Sequence, residues 1–442
     1  MKSLHNRRDP DQLSLFFCRA WRIALLAGLT GYVFLKGVAP ALSQIDADFP
    51  GYFTAARIVS DSQDTARLYD DSWFRERIRS YGLESPDNPG KFTPFPPPTA
   101  LLMLPLAHSA PLTALRVVTA ISVLCLIAAM VLLARMFAWS PLDAAVFVLL
   151  SAQNIASGLR LGQPYIVIST FCLLGYYLYL TGRPRLAGAA LGVFVPIKYY
   201  PIIVLVCMAF WREWRVVRSA AVTILAVGLL SIAVLGWKVH QIFLVSVLGN
   251  HLTGHLSQQN HAPPFTVVYQ SFDTLFDRLF ILDPARNPRP LLVAPSLPAL
   301  SLVLIKAALL LAAVATSMRL ARAQGPAALA PAIGLFGILV LLIAPATATY
   351  MCVLLWLPAA ALIDYFLSRR EQPAAYFVLG TYALLGFIPY GHTSPFDGRG
   401  GLTVLAYPRL ALLLAMFIGC VGFLLRAARR GHPEGAITHL PR

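Results

Sequence analysis

The sequence predicts an all-α polytopic membrane protein, a bundle of about 12 transmembrane helices with amphipathic helices in its first outer loop. Composition is the first reason: 57% of the 442 residues are hydrophobic and 13% are charged, whereas a soluble domain holds roughly 45–50% apolar residues. The second is that the apolar residues gather into runs near 20 residues, the length that crosses a hydrocarbon core of about 30 Å. The third is that the basic residues stand in short clusters between those runs. A mean hydropathy of +0.66 leaves no room for a sizeable soluble unit, so 1–442 reads as a single membrane domain.

In chain order, the first run, Phe16 to Val38, follows the basic leader MKSLHNRR. It exceeds the roughly 7–15 residues of a secretory h-region, so it reads as a retained span. Further spans are expected near 112–134, 142–158, 163–182, 215–237, 291–317, 328–345, 348–368, 373–390 and 403–426. Two segments leave alternatives open. The stretch 94–110 opens on prolines, which lack a backbone donor and favour extended chain, and it either crosses or dips in and returns. The stretch 184–212 contains Pro196 and Pro201 and is either one kinked span or two short ones.

Charge chooses between these arrangements. If 94–110 does not cross and 184–212 is a broken pair, Arg135, Arg183 and Arg185 fall on the same side as WREWRVVR, RLAR, SRRE and RAARR. The positive-inside bias favours that arrangement, with 12 spans and both termini cytoplasmic. The outer face then receives a first large loop, 39–93, a second, 238–290, and the turns at Arg160 and Lys198. A net charge of +16 dispersed in this way is topological and speaks against a nucleic-acid partner. The six cysteines sit in or beside apolar runs and show no paired spacing, so neither a disulfide framework nor a metal ribbon is indicated.

Loop 39–93 holds nine of the twenty acidic residues. Asp46 and Asp48 stand out because they follow the membrane exit and precede the aromatic FPGYFTAAR. A carboxylate at the edge of a low-dielectric region has its charged form disfavoured, which moves it toward the range of a general base. The competing reading is a helix N-cap ahead of Pro50. Arg160 and Gln163, in NIASGLRLGQPY, serve an anionic group or cap helix ends. Lys198 interrupts an apolar run between two prolines and either meets a phosphate or snorkels to the interface. In the loop 238–290, His255, Asn260 and His261 are candidates for hydrogen bonding a phosphate or sugar. His251 and His255 have metal-compatible i, i+4 spacing, but the carboxylate that a metal site calls for is missing nearby.

Taken together, Asp48-Phe49 after the first span, Tyr52 to Arg57 with its Ala-Ala-Arg, Leu68-Tyr69-Asp70, and Phe95 to Ala107 ending in Leu-Pro-Leu-Ala form an ordered series. Gly162-Gln163, Lys198 between Pro196 and Pro201, and the loop at Asn260 continue it. The series resembles glycosyltransferase family 87 over most of the chain. The resemblance implies a GT-C bundle in the bacterial inner (plasma) membrane and an inverting transfer from a polyprenyl-phosphate sugar, mannose in known members, to a lipid or glycan acceptor at the periplasmic face. It implies Asp48 as general base, with Asp46 as the fallback, no cofactor and no metal. Arg160, Gln163, Lys198, His255, Asn260 and His261 then hold the donor's phosphate or sugar, and membrane lipids surround the rest. A transporter or flippase for a lipid-linked or anionic substrate is the rival reading. It fits less well because the spans hold few ionisable groups near mid-membrane.

Overall fold

The computed structural model describes residues 19–83, 90–249, 265–388, 394–396 and 398–430. These residues form helices joined by turns, with a single isolated bridge between Asp283 and Asn287. Helix α1 (Arg19–Ser43) is followed by two helices of the first loop, α2 (Phe49–Ser60) and α3 (Asp71–Ser80), and by a 3₁₀ segment, Pro97–Leu106. Next come α4 (Pro111–Phe137), α5 (Pro141–Leu149), α6 (Ala152–Arg160), α7 (Tyr165–Leu180), α8 (Pro184–Gly192), α9 (Ile202–Phe210), α10 (Trp214–Leu235) and α11 (Trp237–Ile242). The remainder is α12 (Phe272–Phe280), α13 (Leu297–Gln324), α14 (Leu329–Ile343), α15 (Trp356–Ser368), α16 (Gln372–Leu385) and α17 (Pro408–Arg429).

Six helical stretches are long and apolar enough to cross a membrane, and seven if the pair α5–α6, bent by 66°, is one span. One of the six, Leu297–Ile343, spans 47 residues, roughly 70 Å at 1.5 Å per residue. It reverses at Gly325 so that α13 and α14 pack against each other. Length alone therefore does not reach twelve. The other expected crossings are shorter helices: α7 has 16 residues, α16 has 14, and α8 and α9 have 9 each.

The physical causes lie in the prolines. The stretch 184–212 breaks into α8 and α9 on either side of Pro196 and Pro201, each helix about 14 Å long. The stretch 94–110 folds as ten residues of 3₁₀ helix, about 20 Å, with Pro97, Pro98 and Pro105 removing donors from it. The first loop also differs from a pair of interfacial helices. Helix α3 is amphipathic, burying Trp73, Phe74 and Ile78. Helix α2 is enclosed on nearly every side, because the Pro97–Leu106 segment packs over it.

Two cores result. The larger joins α1, α4 to α10 and α12 to α17. The smaller gathers Phe49, Tyr52, Phe53, Phe74 and Phe92 of the first loop against Leu115 of α4 and Leu235 of α10. Large apolar side chains left exposed, such as Leu124, Leu225, Leu229, Val303 and Leu311, lie on α4, α10 and α13. Water would not tolerate such belts on long helices, whereas lipid does. The ion pair Arg22–Asp143, at 2.7 Å, ties the start of α1 to the start of α5.

Candidate functional site

The two acids of the first loop meet different fates. Asp46 accepts the backbone N–H of Ala47 at 2.8 Å through Oδ1, and its Oδ2 lies 2.8 Å from Nε of Arg160. Both side chains are partly exposed, Arg160 to 42% and Asp46 to 26%, so the pair contributes little, about 0–1 kcal/mol. Asp48 occupies the N-cap position of α2, yet its side chain caps nothing. Its Oδ2 instead accepts a hydrogen bond from Nε2 of Gln163 at 2.7 Å. The helix-cap reading thus gives way to a carboxylate turned across the chain, half-buried and held by an amide 115 residues away.

The end of α6 delivers that amide. Gln163 N–H bonds to the carbonyl of Gly158 and Gly162 N–H to that of Leu159, the paired bonds of a Schellman motif. Gly162 takes φ of +64°, and a Cβ there would stand 3.0–3.1 Å from the Phe49 side chain. Glycine therefore serves both the left-handed turn and the close approach of α2. One helix terminus thereby presents Arg160 to Asp46 and Gln163 to Asp48. Tyr52, one turn after Asp48 on α2, donates its hydroxyl to Oε1 of Gln163 at 2.8 Å. With the amide oxygen engaged by the phenol, its N–H group faces Asp48, the orientation an ionised carboxylate requires.

Lys198 enters from the break between α8 and α9. Its backbone N–H bonds to Phe194, and the next carbonyl back, that of Ile197, accepts from Thr99. The side chain is buried, with Nζ 4.0 Å from the ring centre of Phe95, 5.3 Å from Tyr165 and 5.6 Å from Tyr52. Phe95 stacks on Tyr52 at 4.8 Å, so one aromatic wall serves both the ammonium and the Asp48–Gln163 chain. Tyr350 packs 5.3 Å from Tyr165 and turns its hydroxyl toward Asp48.

Burial raises Asp48 above the ordinary carboxylate range, opposed by the Gln163 hydrogen bond and by the charge of Lys198. Burial pushes Lys198 down to about 7, with the Asp48 charge holding it partly up. A base and an acid with ionisations drawn toward neutrality, in one polar cluster beside an aromatic wall, are the equipment of proton transfer beside an anion.

Asp46, Asp48, Arg160, Gln163 and Lys198 therefore come together at one end of the bundle. His255, Asn260 and His261 lie outside the described residues. Among the described residues no cluster of three or more His, Cys, Asp or Glu side chains is placed to hold a metal. Sequence reasoning missed Tyr52, Phe95 and Tyr350 as site residues. The i, i+4 spacing of Tyr52 from Asp48 was a usable signal; Tyr350, some 300 residues on, gave none.

Neither a curated protein nor a solved structure matches the chain. The family model of glycosyltransferase family 87 matches residues 92–345, more than half of it. That segment carries Arg160, Gln163 and Lys198 and begins after Asp46 and Asp48. With its apolar helices and this match, the chain belongs to glycosyltransferase family 87 and is a membrane glycosyltransferase.

Proposed function

We propose that the protein transfers a hexose, mannose by the family resemblance, from a polyprenyl-phosphate donor to a hydroxyl of a lipid-linked or glycan acceptor at the outer face of the bacterial inner membrane. The observation that carries this reading is Asp48, a half-buried carboxylate that declines its helix cap and is aimed by Gln163 beside Lys198.

Asp48 accepts the proton of the acceptor hydroxyl as that oxygen attacks the anomeric carbon. The bond from that carbon to the phosphate oxygen breaks, and its electron pair leaves with the polyprenyl phosphate. Attack opposite the leaving group inverts the centre. Lys198 faces the departing phosphate, where an ammonium freed from water by aromatic walls stabilises developing charge strongly. Arg160 contributes if an incoming anion displaces Asp46 from their weak surface pair. Gln163 positions the base, and His255, Asn260 and His261 complete the donor contacts. The chemistry requires no metal in this reading, so EDTA leaves transfer intact.

Labelled-sugar transfer from polyprenyl-phosphate donors by the purified protein tests the reading. Asp48→Asn should abolish transfer while Asp46→Asn keeps most of it. Full turnover by Asp48→Asn removes the base assignment, and uptake into vesicles without transfer returns the transporter.

A further inference from the structure

Helix α9 leads away from Lys198 and stops at Phe210, about 14 Å along its axis. The chain then turns through Trp211 and Arg212, the latter at φ of 62°, before α10 begins. Between this turn, the last turns of α13, the Gly325–Pro326 link and Phe336 in the middle of α14 lies a cavity of about 330 Å³. Its walls include Phe210, Trp211, Met318 and Phe336. Phe210 is 61% and Met318 is 49% exposed, so the cavity opens sideways, toward the surface that the apolar belts assign to lipid.

Two polar groups interrupt this lining. Ser317 is 6% exposed and its Oγ has no hydrogen-bond partner. Arg212 is exposed at the mouth, and among the described residues its guanidinium has no carboxylate within ion-pair distance. Its neighbour Glu213 is engaged by the hydroxyl of Tyr179 at 2.8 Å. On another face of the same end of α13, Arg319, Arg322 and Arg429 surround a second groove. This end of the bundle is strongly cationic.

We propose that the cavity at Arg212 and Ser317 is a binding site for one anionic phospholipid of the bilayer. The phosphate sits on Arg212, a glycerol-ester oxygen accepts from Ser317 Oγ, and an acyl chain lies between Phe210 and Met318. Charge complementarity selects the class: an anionic headgroup gains from Arg212 and its basic surroundings, whereas a zwitterionic one gains less. The buried hydroxyl selects a lipid with an acceptor at ester depth over a plain hydrocarbon.

Native mass spectrometry of the full-length, delipidated protein titrated with phosphatidylglycerol or phosphatidylcholine tests the site. One phosphatidylglycerol should bind preferentially. Arg212→Ala should reduce that preference about fivefold, the worth of one arginine beside an anionic headgroup. Ala321→Phe, which fills the cavity without removing charge, should abolish the tight site, while Arg429→Ala leaves it in place. As a second readout that does not depend on a core variant, phosphatidylglycerol with brominated acyl chains should quench Trp211 fluorescence, taken as wild type minus Trp211→Phe. Equal binding of the two lipids, or retention of the tight site in Ala321→Phe with no quenching of Trp211, overturns the proposal.

Discussion

Asp46 and Asp48 stand two residues apart and are chemically identical, and their surroundings separate them. Asp46 is held at the surface by Arg160, so Asp46→Asn removes a partly exposed pair worth about 0–1 kcal/mol and should leave most of the turnover. Asp48→Asn removes the base and should cost about 10²–10⁴-fold, with an unchanged thermal midpoint showing that the fold survives. The pH profile of kcat/KM reports on the same residues. Activity should rise as Asp48 ionises above the usual carboxylate range and fall as Lys198 loses its proton near pH 7. Lys198→Arg carries a charge that persists beyond pH 12, so its descending limb near 7 should disappear; persistence of that limb would assign it to another group. Gln163→Leu removes a donor that favours the charged carboxylate, so Asp48 should titrate still higher and the ascending limb should move to higher pH. A limb that stays in place would show that the amide does not tune the base.

At the scale of elements, what was legible in the sequence followed backbone chemistry. Pro196 and Pro201 announced the break that carries Lys198, because proline removes a donor wherever it stands. The proline-rich 94–110 was readable as a segment unlike the long spans, but its 3₁₀ form was not. Which of two neighbouring acids would be taken by Arg160 was also not legible, since it depends on how the end of α6 turns. Helix α8 offers a test of packing. Gly188 and Gly192, spaced as G-x-x-x-G, lie against α10 so closely that an added Cβ would stand 2.2 Å from the Val216 carbonyl oxygen at one and 2.7 Å from that of Ala220 at the other. Small residues of this kind let membrane helices approach backbone to backbone. Gly188→Leu should force α8 and α10 apart, cost roughly 1–3 kcal/mol and lower the thermal midpoint. Because α8 leads directly to Lys198, KM for the donor should rise as well; an unchanged midpoint would show that the contact tolerates separation.

Over the whole molecule, apolar runs foretold most helices because a hydrocarbon core demands them, whereas the short helices α8, α9 and α16 are sheltered by neighbours and blur any count of spans. The site is assembled from segments hundreds of residues apart, and Arg409 shows how the distant ones are held. It is 1% exposed at the start of α17. Its guanidinium donates to Thr349 Oγ1 at 2.6 Å and to the carbonyls of Thr347 at 3.3 Å and Val268 at 3.5 Å. Its backbone N–H bonds to Gln270 Oε1 at 2.7 Å, and the N–H of Gln270 bonds in turn to Thr347. These are the segments that carry Tyr269 and Tyr350, and Tyr350 faces Asp48. Arg409→Met leaves two or three buried acceptors without their donor, at roughly 1–3 kcal/mol each. The thermal midpoint should fall, and kcat should fall further than the loss of folded protein explains, because Tyr350 loses its anchorage. Arg409→Lys, which restores one donor, should recover stability before it recovers activity, since a lysine cannot reach all three acceptors from one point. Equal recovery of both would show that Arg409 holds the fold without positioning the site.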